Sequence, residues 1–197
     1  MITAVGPVLT LRHPEPRDAA ALFRHASDPL ISRWFSWRYE SEEDPKRWIA
    51  SRPAAREAGE WLEWVVEHPE HGVVGMTGLS EPNLRDRRTV MGSWLGQAVW
   101  GTGVNVESKA LLTRMAFEHC GFERVGAYAS IENPRSQRAL EKLGWQREGT
   151  LRAYHRHGDL ARDVHLYSLL RDEWADGPLA QIEARVEGAP PAAFAAG

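Results

Sequence analysis

The chain is poor in cysteine, has no long apolar run and carries little net charge. Cys120 is the single cysteine among 197 residues, which excludes an intramolecular disulfide framework. No apolar stretch is long enough to span a bilayer, and the N-terminus lacks the charged and hydrophobic blocks of a signal peptide. We therefore expect a cytoplasmic protein without a membrane partner. A formal net charge of -3 argues against binding nucleic acid by broad neutralisation of phosphates.

The apolar content is sufficient for one hydrophobic core. Hydrophobic residues make up 43% of the chain, and no internal repeat is visible. We expect a single domain over residues 1–187 and a flexible Ala/Pro/Gly-rich tail over residues 188–197. Tryptophan is unusually frequent in the N-terminal third, where large aromatic faces can line a substrate cleft as well as a core. The tryptophans concerned are Trp34, Trp37, Trp48, Trp61 and Trp64.

The most informative stretch, residues 94–121, has the pattern of a strand, a glycine turn and a helix in succession. The turn is Gly101-Thr102-Gly103, and apolar residues then recur at three- and four-residue steps, which predicts an amphipathic helix over Val106–Cys120. Asn105 is suited to cap the start of this helix, and Gly121 lies where a left-handed residue ends a helix. The stretch therefore joins a strand to a helix through a flexible turn.

A helix that begins directly after a glycine turn leaves several backbone N–H groups unpaired, with the positive end of the helix dipole behind them. The turn is therefore predicted to bind a phosphate or pyrophosphate group. The alternative is a tight connection without a ligand. The dinucleotide-binding fingerprint is not matched, because its third glycine would fall at Val106, and a P-loop is excluded because no Gly-Lys-Ser/Thr sequence follows the turn.

The remaining pattern predicts the α+β class with a mixed sheet. The predicted order is a strand, two helices, three antiparallel strands, a helix, a strand, a helix and two strands. Hairpins are predicted around His71 and Asp159, which argues against the parallel sheet of a Rossmann protein. A further short helix is predicted over Leu179–Val186.

Three motifs resemble the GNAT superfamily of acyl-CoA-dependent N-acyltransferases. They are WGTGVN at the start of the central helix, ENPRSQRALEKLGW after the next strand, and EGTLRAYHRHGDLARDVHLYSLLRDEW near the end. Within the superfamily, the chain resembles the RimJ/RimL-like branch of ribosomal-protein alanine N-acetyltransferases, over residues 8–174. The resemblance implies a seven-stranded, mostly antiparallel mixed sheet with splayed central strands. Homodimers are common among such relatives.

The resemblance also implies that acetyl-CoA is the cofactor and that its pyrophosphate lies against the glycine turn. Backbone N–H groups around Leu95 and Gln97 would bind the pantetheine arm and the carbonyl oxygen. The candidate cofactor-binding residues are Leu95, Gln97, Trp100, Gly101, Thr102, Gly103, Val104, Asn105, Asn133 and Ser136.

The chain departs from the family pattern at three positions. Trp100 stands where the family has Arg or Gln, and Asn105 where it has Gly or Ala, but neither change removes a backbone donor. The acidic residue that many relatives use as a general base falls at Val90, so the usual base is missing. An α-amino group, with a pKa of about 7.7 to 8, therefore suits this chain better as acceptor than a lysine, with a pKa of about 10.4.

The candidate catalytic residues are Ser136 and His155. Ser136 matches a serine that the branch is thought to use as an acid toward the leaving thiol, and it can equally satisfy backbone donors in the first turn of its helix. Asn133 is predicted to cap that helix and, from the resemblance, to contact pantetheine. His155 stands where the branch has a proposed glutamate base, and its ordinary pKa of about 6.5 suits proton abstraction near neutral pH. The alternative is a surface histidine beside a turn. No metal site is expected, because His155 and His157 lack a third ligand.

The predicted function is transfer of an acetyl group from acetyl-CoA to a small-molecule amine or a peptide N-terminus, by direct attack in a ternary complex. The alternative is a non-catalytic acyl-CoA-binding module of the same fold that has lost its base. Thiol release from acetyl-CoA in the presence of acceptor amines distinguishes the two. The aromatic residues are compatible with a homodimer.

Overall fold

One mixed sheet organises the fold. The computed structural model describes residues 1–196, and the strands assigned in them are β1 (Thr3–Val5), β2 (Thr10–Arg12), β3 (Trp61–His68), β4 (Gly72–Asn83), β5 (Arg88–Leu95), β6 (Arg124–Ser130), β7 (Gln146–His157), β8 (Leu160–Leu170) and β9 (Arg185–Glu187). They lie in the order β7-β8-β6-β5-β4-β3-β2-β1-β9. Only the β5–β6 pair among these strands is parallel. The predicted α+β class and mixed sheet are confirmed.

Helices cover both faces of this sheet. The α-helices are α1 (Ala19–Ala26), α2 (Pro29–Ser32), α3 (Glu43–Glu57), α4 (Val104–Arg114), α5 (Pro134–Glu141) and α6 (Arg171–Ala175). Val65 and Val66 are neighbours in β3 and belong to different buried clusters, so the two clusters lie on opposite faces. The larger cluster includes Leu111 of α4, and the smaller includes Leu22 of α1. No helix in the described part of the chain is long and apolar enough to cross a membrane.

The sheet opens between its two central strands. The parallel register of β5 and β6 ends at the pair Met91 and Ala127. Beyond it, residues 92–95 pair only with β4, and residues 128–130 pair only with β8. The two strands therefore diverge, and the splayed geometry that the resemblance implied is present.

The strand count and the C-terminal segment differ from expectation. The sheet has nine strands instead of seven, because β1 and β9 add an edge. The helix predicted over Leu179–Val186 is wrong: Val186 pairs with Ala4 of β1, so pairing between distant segments overrides the local pattern. The tail predicted to be flexible is packed as far as residue 196, because Phe194 is fully buried. Gly197 lies outside the described residues.

The central helix begins earlier than predicted. Helix α4 starts at Val104 instead of Val106, and Gly103 takes the N-cap position that was expected for Asn105. The reason is backbone geometry: Gly103 has φ +94°, a left-handed conformation that glycine adopts without strain. The α-helix ends at Arg114 and continues as a π-helical turn over Met115–His119.

Candidate active site

A cavity of about 670 Å³ fills the gap between the diverging strands and is bordered by α4 and α5. Seven of the predicted cofactor-binding residues line it: Leu95, Trp100, Gly101, Gly103, Asn105, Asn133 and Ser136. Gln97, Thr102, Val104 and His155 do not. The structure therefore brings the glycine turn and the start of α5 together, as the resemblance implied, and leaves the candidate base outside the lining.

The glycine turn presents its backbone to the cavity. Gly101 and Gly103 have positive φ, and nothing in the described chain lies within 4 Å of a Cβ built on either. The first turn of α4 closes with Val106 N and Glu107 N donating to Gly103 O. The N–H groups of residues 101–105 have no hydrogen-bond partner within residues 1–196. Backbone donors at a helix start form a site for an anion.

The three remaining predicted residues of this region support the turn from outside the lining. The Thr102 hydroxyl donates to Val99 O at 2.8 Å. The Gln97 side-chain amide donates to the carboxylate of Asp28, which also caps α2. Val104 is buried in the core. Their side chains fix the shape of the turn, and their backbone groups remain candidates for ligand contact.

The charged side chains that line the cavity are all cations: Lys109 from α4, Arg135 and Arg138 from α5, and Lys142 at the C-cap of α5. The last three recur at three- and four-residue steps and so share one helix face. None of the four forms an ion pair with a carboxylate in the described chain. A cavity of one charge sign attracts ligands of the other sign.

Arg135 and Trp100 join α5 to the glycine turn. The guanidinium carbon of Arg135 lies 3.4 Å from the centre of the Trp100 ring, and the indole N–H of Trp100 donates to Leu95 O at 2.8 Å. Partial burial lowers the pKa of Arg135 from its usual value, but a guanidinium stays charged at neutral pH. A positive charge therefore lies at the position where the family pattern would have Arg or Gln.

Helix α5 begins at the cavity wall. Asn133 Oδ1 accepts a hydrogen bond from Ser136 N at 3.2 Å, which confirms the predicted capping, and Pro134 occupies the first turn. The hydroxyl of Ser136 has no hydrogen-bond partner in the part of the chain that the structure describes, although the residue lines the cavity. It is therefore free to contact a ligand.

Lys109 is a buried cation that sequence analysis missed. Its side chain is only 5% exposed, and its Nζ donates to Asn105 Oδ1 at 2.7 Å and to Ser93 Oγ at 3.1 Å. Both acceptors are neutral, and burial lowers the pKa of Lys109 to about 8. The sequence signal was a lysine one helical turn after Asn105, on a helix face otherwise rich in apolar residues.

Aromatic residues form the opposite wall of the cavity. They come from the segment after α2 and from β5 and β6: Trp34, Phe35, Trp94 and Tyr128. Phe35 stacks on Trp37 with ring centres 4.4 Å apart and meets Trp94 edge-on. The expectation that N-terminal tryptophans line a cleft holds for Trp34, whereas Trp64 is fully buried and donates to Ile2 O.

His155 lies one ring away from the cavity. It packs edge-on against Tyr128, with ring centres 5.6 Å apart, and Tyr128 lines the cavity. The Tyr128 hydroxyl is hydrogen-bonded to that of Tyr154 at 2.9 Å, and burial raises the pKa of Tyr128, so this phenol is protonated at neutral pH. His155 therefore faces the cavity only through Tyr128.

Neither Val90 nor Glu148 is suited to act as a general base. Val90 is buried on β5, so this position offers no general base. Glu148 is hydrogen-bonded to Arg124 and Ser168, and these bonds lower the pKa of Glu148 to about 2. Within residues 1–196 no group of three or more His, Cys, Asp or Glu side chains is placed to hold a metal ion.

Comparison with known proteins gives matches over most of the chain. The acetyltransferase (GNAT) domain family model matches residues 8–146. The N-acetyltransferase p20 of Bacillus licheniformis, itself uncharacterised, is 29% identical over 171 residues, which cover 85% of this chain and 95% of the relative. A T. thermophilus protein, provisionally assigned as an acetyltransferase, is 31% identical with a TM-score of 0.75, covering 88% of this chain and 92% of its own. Mycobacterium smegmatis RimJ in complex with CoA-disulfide has a TM-score of 0.79 at 21% identity, over 91% of each chain, which is a likeness of fold.

Proposed function

This chain belongs to the acetyltransferase (GNAT) domain family, and on that premise we propose that it transfers an acetyl group from acetyl-CoA to a weakly basic amine, such as the α-amino group of a peptide or protein. The family assignment makes the chain an acyltransferase. The acceptor, the RimJ/RimL-like specificity and the residues that act are the proposal.

The main support for the proposal is that unpaired backbone N–H groups lie beside a cavity that no carboxylate lines. Residues 101–105 present unpaired N–H groups, and four cations but no carboxylate line the space beside them. Coenzyme A carries a diphosphate and a further phosphate, so both features fit it. Added Cβ atoms at Gly101 and Gly103 would project into space that a ligand needs.

We assign the binding roles by position. The backbone N–H groups of residues 101–105 would hold the diphosphate, and the lining residues Leu95 and Asn133 would contact the pantetheine arm. The unpaired face of Arg138 and Lys142 suits the remaining phosphate. When bound, acetyl-CoA supplies an acyl thioester that is activated for attack by an amine.

The aromatic wall indicates the class of acceptor. Trp34, Phe35, Trp94 and Tyr128 border the cavity, and no carboxylate does. A polyamine carries several positive charges, which the four cations that line the cavity would repel. An α-amine with a pKa of about 8 has a substantial neutral fraction near pH 7 and needs little help in losing its proton. A peptide N-terminus therefore fits better than a polycation.

Two side chains complete the proposal. Ser136 donates a hydrogen bond from its free hydroxyl to the leaving sulfur, since it lines the cavity on α5. His155 accepts the proton that the acceptor amine loses. The transfer passes Tyr128, which lies between His155 and the cavity. In His155→Ala we expect the acylation rate to fall far more than the affinity for acetyl-CoA, and an unchanged rate across the pH range would remove His155 from the proposal.

Thiol release from acetyl-CoA tests the proposed function. Acceptors would be a peptide with a free N-terminal alanine, the same peptide with a blocked N-terminus, and spermidine. We expect release with the free peptide only, and mass spectrometry should place the acetyl group on its α-nitrogen. Release with spermidine alone would contradict the acceptor assignment. Binding of acetyl-CoA without turnover on any acceptor would favour a non-catalytic binding module.

A further inference from the structure

Lys109 is a buried cation that lines the cavity and has no assigned role in the acyl transfer proposed above. Its ammonium group is bonded only to the neutral oxygens of Ser93 and Asn105. No carboxylate pairs with it in residues 1–196, and the other charged groups around the cavity are the cations Arg135, Arg138 and Lys142. A buried cation without a counter-charge costs free energy, so its retention indicates an anionic partner that arrives with a ligand.

The position of Lys109 indicates which part of the ligand it meets. Met91 is the last residue of β5 that pairs with β6, and Ser93 lies two residues beyond it, where the strands begin to separate. A molecule anchored at the glycine turn must run along β5 toward this point to meet an acceptor on the aromatic side. The Nζ atom of Lys109 donates to Ser93 Oγ there. It therefore borders the reacting end of the cavity.

We propose that Lys109 is a catalytic residue, which on the proposed function above pairs its ammonium group with the sulfur of coenzyme A and protonates that sulfur as it leaves. The acceptor nitrogen forms a bond to the acetyl carbonyl carbon, the carbon–sulfur bond breaks, and its electron pair stays on sulfur. The sulfur takes a proton from Lys109 Nζ. The new amide nitrogen releases its extra proton toward His155, as proposed above, and solvent reprotonates Lys109.

Two properties suit Lys109 to this role. A serine hydroxyl such as that of Ser136 can hydrogen-bond a thiolate but does not supply a net proton near neutral pH, whereas an ammonium group supplies both charge and proton. Burial lowers the pKa of Lys109 to about 8, near the pKa of a cysteine thiol, which is about 8.5. Proton transfer between groups of similar pKa is nearly balanced in free energy.

The test measures the ionisation of the thiol of bound coenzyme A in the absence of an acceptor amine. The ultraviolet absorbance of the thiolate is followed against pH for wild type, Lys109→Met and Lys46→Met, with coenzyme A lacking its sulfur as the blank ligand. An ammonium beside sulfur lowers a thiol pKa by about one unit or more, a tenfold change in ionisation. We expect the bound thiol to ionise at least about tenfold more readily in wild type than in Lys109→Met. Lys46→Met, which removes an exposed lysine of α3 outside the cavity lining, should keep the wild-type titration.

The outcomes separate this inference from the proposed function. Equal thiol pKa values in wild type and Lys109→Met, with both binding coenzyme A, would overturn the role of Lys109 and leave the function intact. If neither the wild type nor any variant bound coenzyme A, the proposed function itself would be contradicted. Should Lys109→Met not fold, Ser93→Ala is the second variant, because it keeps the ammonium group and removes one of its acceptors. We expect the thiol pKa to be higher in Ser93→Ala than in wild type, as in Lys109→Met.

Kinetics provide the second readout. Lys109→Arg keeps a charge but holds its proton too tightly to release it. We expect it to preserve the lowered thiol pKa while kcat falls at least about tenfold with little change in the KM for acetyl-CoA. A wild-type kcat in Lys109→Arg would contradict the proposal that Lys109 donates the proton to sulfur.

Discussion

At the residue scale, burial of the Lys109 ammonium group lowers the free energy of unfolding. Its pKa in the folded chain is about 8, below the ordinary value of 10.5, because burial disfavours the charged form. A lowered pKa means that the unfolded chain binds more protons than the folded chain between these two values. The stability associated with Lys109 is therefore present above pH 10.5 and is lost as the pH falls through 8.

We predict that Lys109→Met raises the free energy of unfolding at pH 7. A lowering from 10.5 to about 8 corresponds to about 3 kcal/mol at about 1.4 kcal/mol per unit. The gain should shrink as the pH rises toward 10.5. Urea denaturation between pH 7 and 10 without ligand measures it, with Lys46→Met, an exposed lysine on α3, as the control. Parallel pH profiles for wild type and Lys109→Met would contradict the prediction.

At the element scale, the junction of the glycine turn with α4 is the proposed binding site for the diphosphate of coenzyme A. Its donors are backbone N–H groups, so their position depends on Gly103 keeping φ +94°. Gly72, in the β3–β4 hairpin, also has positive φ and has no neighbouring atom within 4 Å of a built Cβ. The two glycines therefore offer the same backbone strain at two places, only one of which borders the cavity.

We predict that Gly103→Val weakens coenzyme A binding at least about tenfold, because the side chain strains the turn and projects into the cavity. Gly72→Val should lose comparable stability and bind coenzyme A as wild type does. Calorimetric titration of both variants makes the comparison. Equal affinities for the two variants would mean that the turn is not the binding site.

Helix α5 carries a second prediction at this scale. Arg138 and Lys142 share a face, line the cavity and have no carboxylate partner in the described residues. We expect the double change Arg138→Met and Lys142→Met to raise the Kd for coenzyme A about tenfold or more, through the loss of two charge-assisted contacts. Its Kd for dephospho-coenzyme A, which lacks the ribose phosphate, should change much less. An equal loss for both ligands would place these cations elsewhere on the bound molecule.

At the scale of the whole molecule, the C-terminal segment is part of the core. Phe194 is fully buried within the larger cluster, and Ala196 N donates to Cys120 O at 2.7 Å, directly after the π-helical turn that follows α4. The end of the described chain thus packs against the helix whose start adjoins the glycine turn.

We predict that Phe194→Ala destabilises the protein by about 4 kcal/mol, the loss typical of a buried phenylalanine. Coenzyme A affinity of the folded fraction should be unchanged, because Phe194 does not line the cavity. Leu160→Ala, at an exposed position of the β7–β8 hairpin, is the control and should lie within about 0.5 kcal/mol of wild type. A similar small effect for Phe194→Ala would show that the segment is loosely attached.

Most long elements could be predicted, while the short edge strands β1 and β9 could not. Strands β3, β4, β5, β6 and β8 and the helix after the glycine turn followed from apolar periodicity, because each is long enough to repeat its pattern. Strands β1 and β9 have three residues each and show no period. The N-cap was placed at Asn105 because its side chain is typical of caps, but the backbone conformation of Gly103 decided the helix start.

What the sequence alone determined is local: the glycine turn, the helix behind it and the capping of α5 by Asn133 arise from residues close in the chain. Tertiary structure alone decided which side chains meet. Lys109 reaches Ser93 across 16 residues, Arg135 lies over Trp100, and His155 is separated from the cavity by Tyr128. These contacts depend on where β5 and β6 diverge, and that divergence results from the pairing of the whole sheet and not from any single segment.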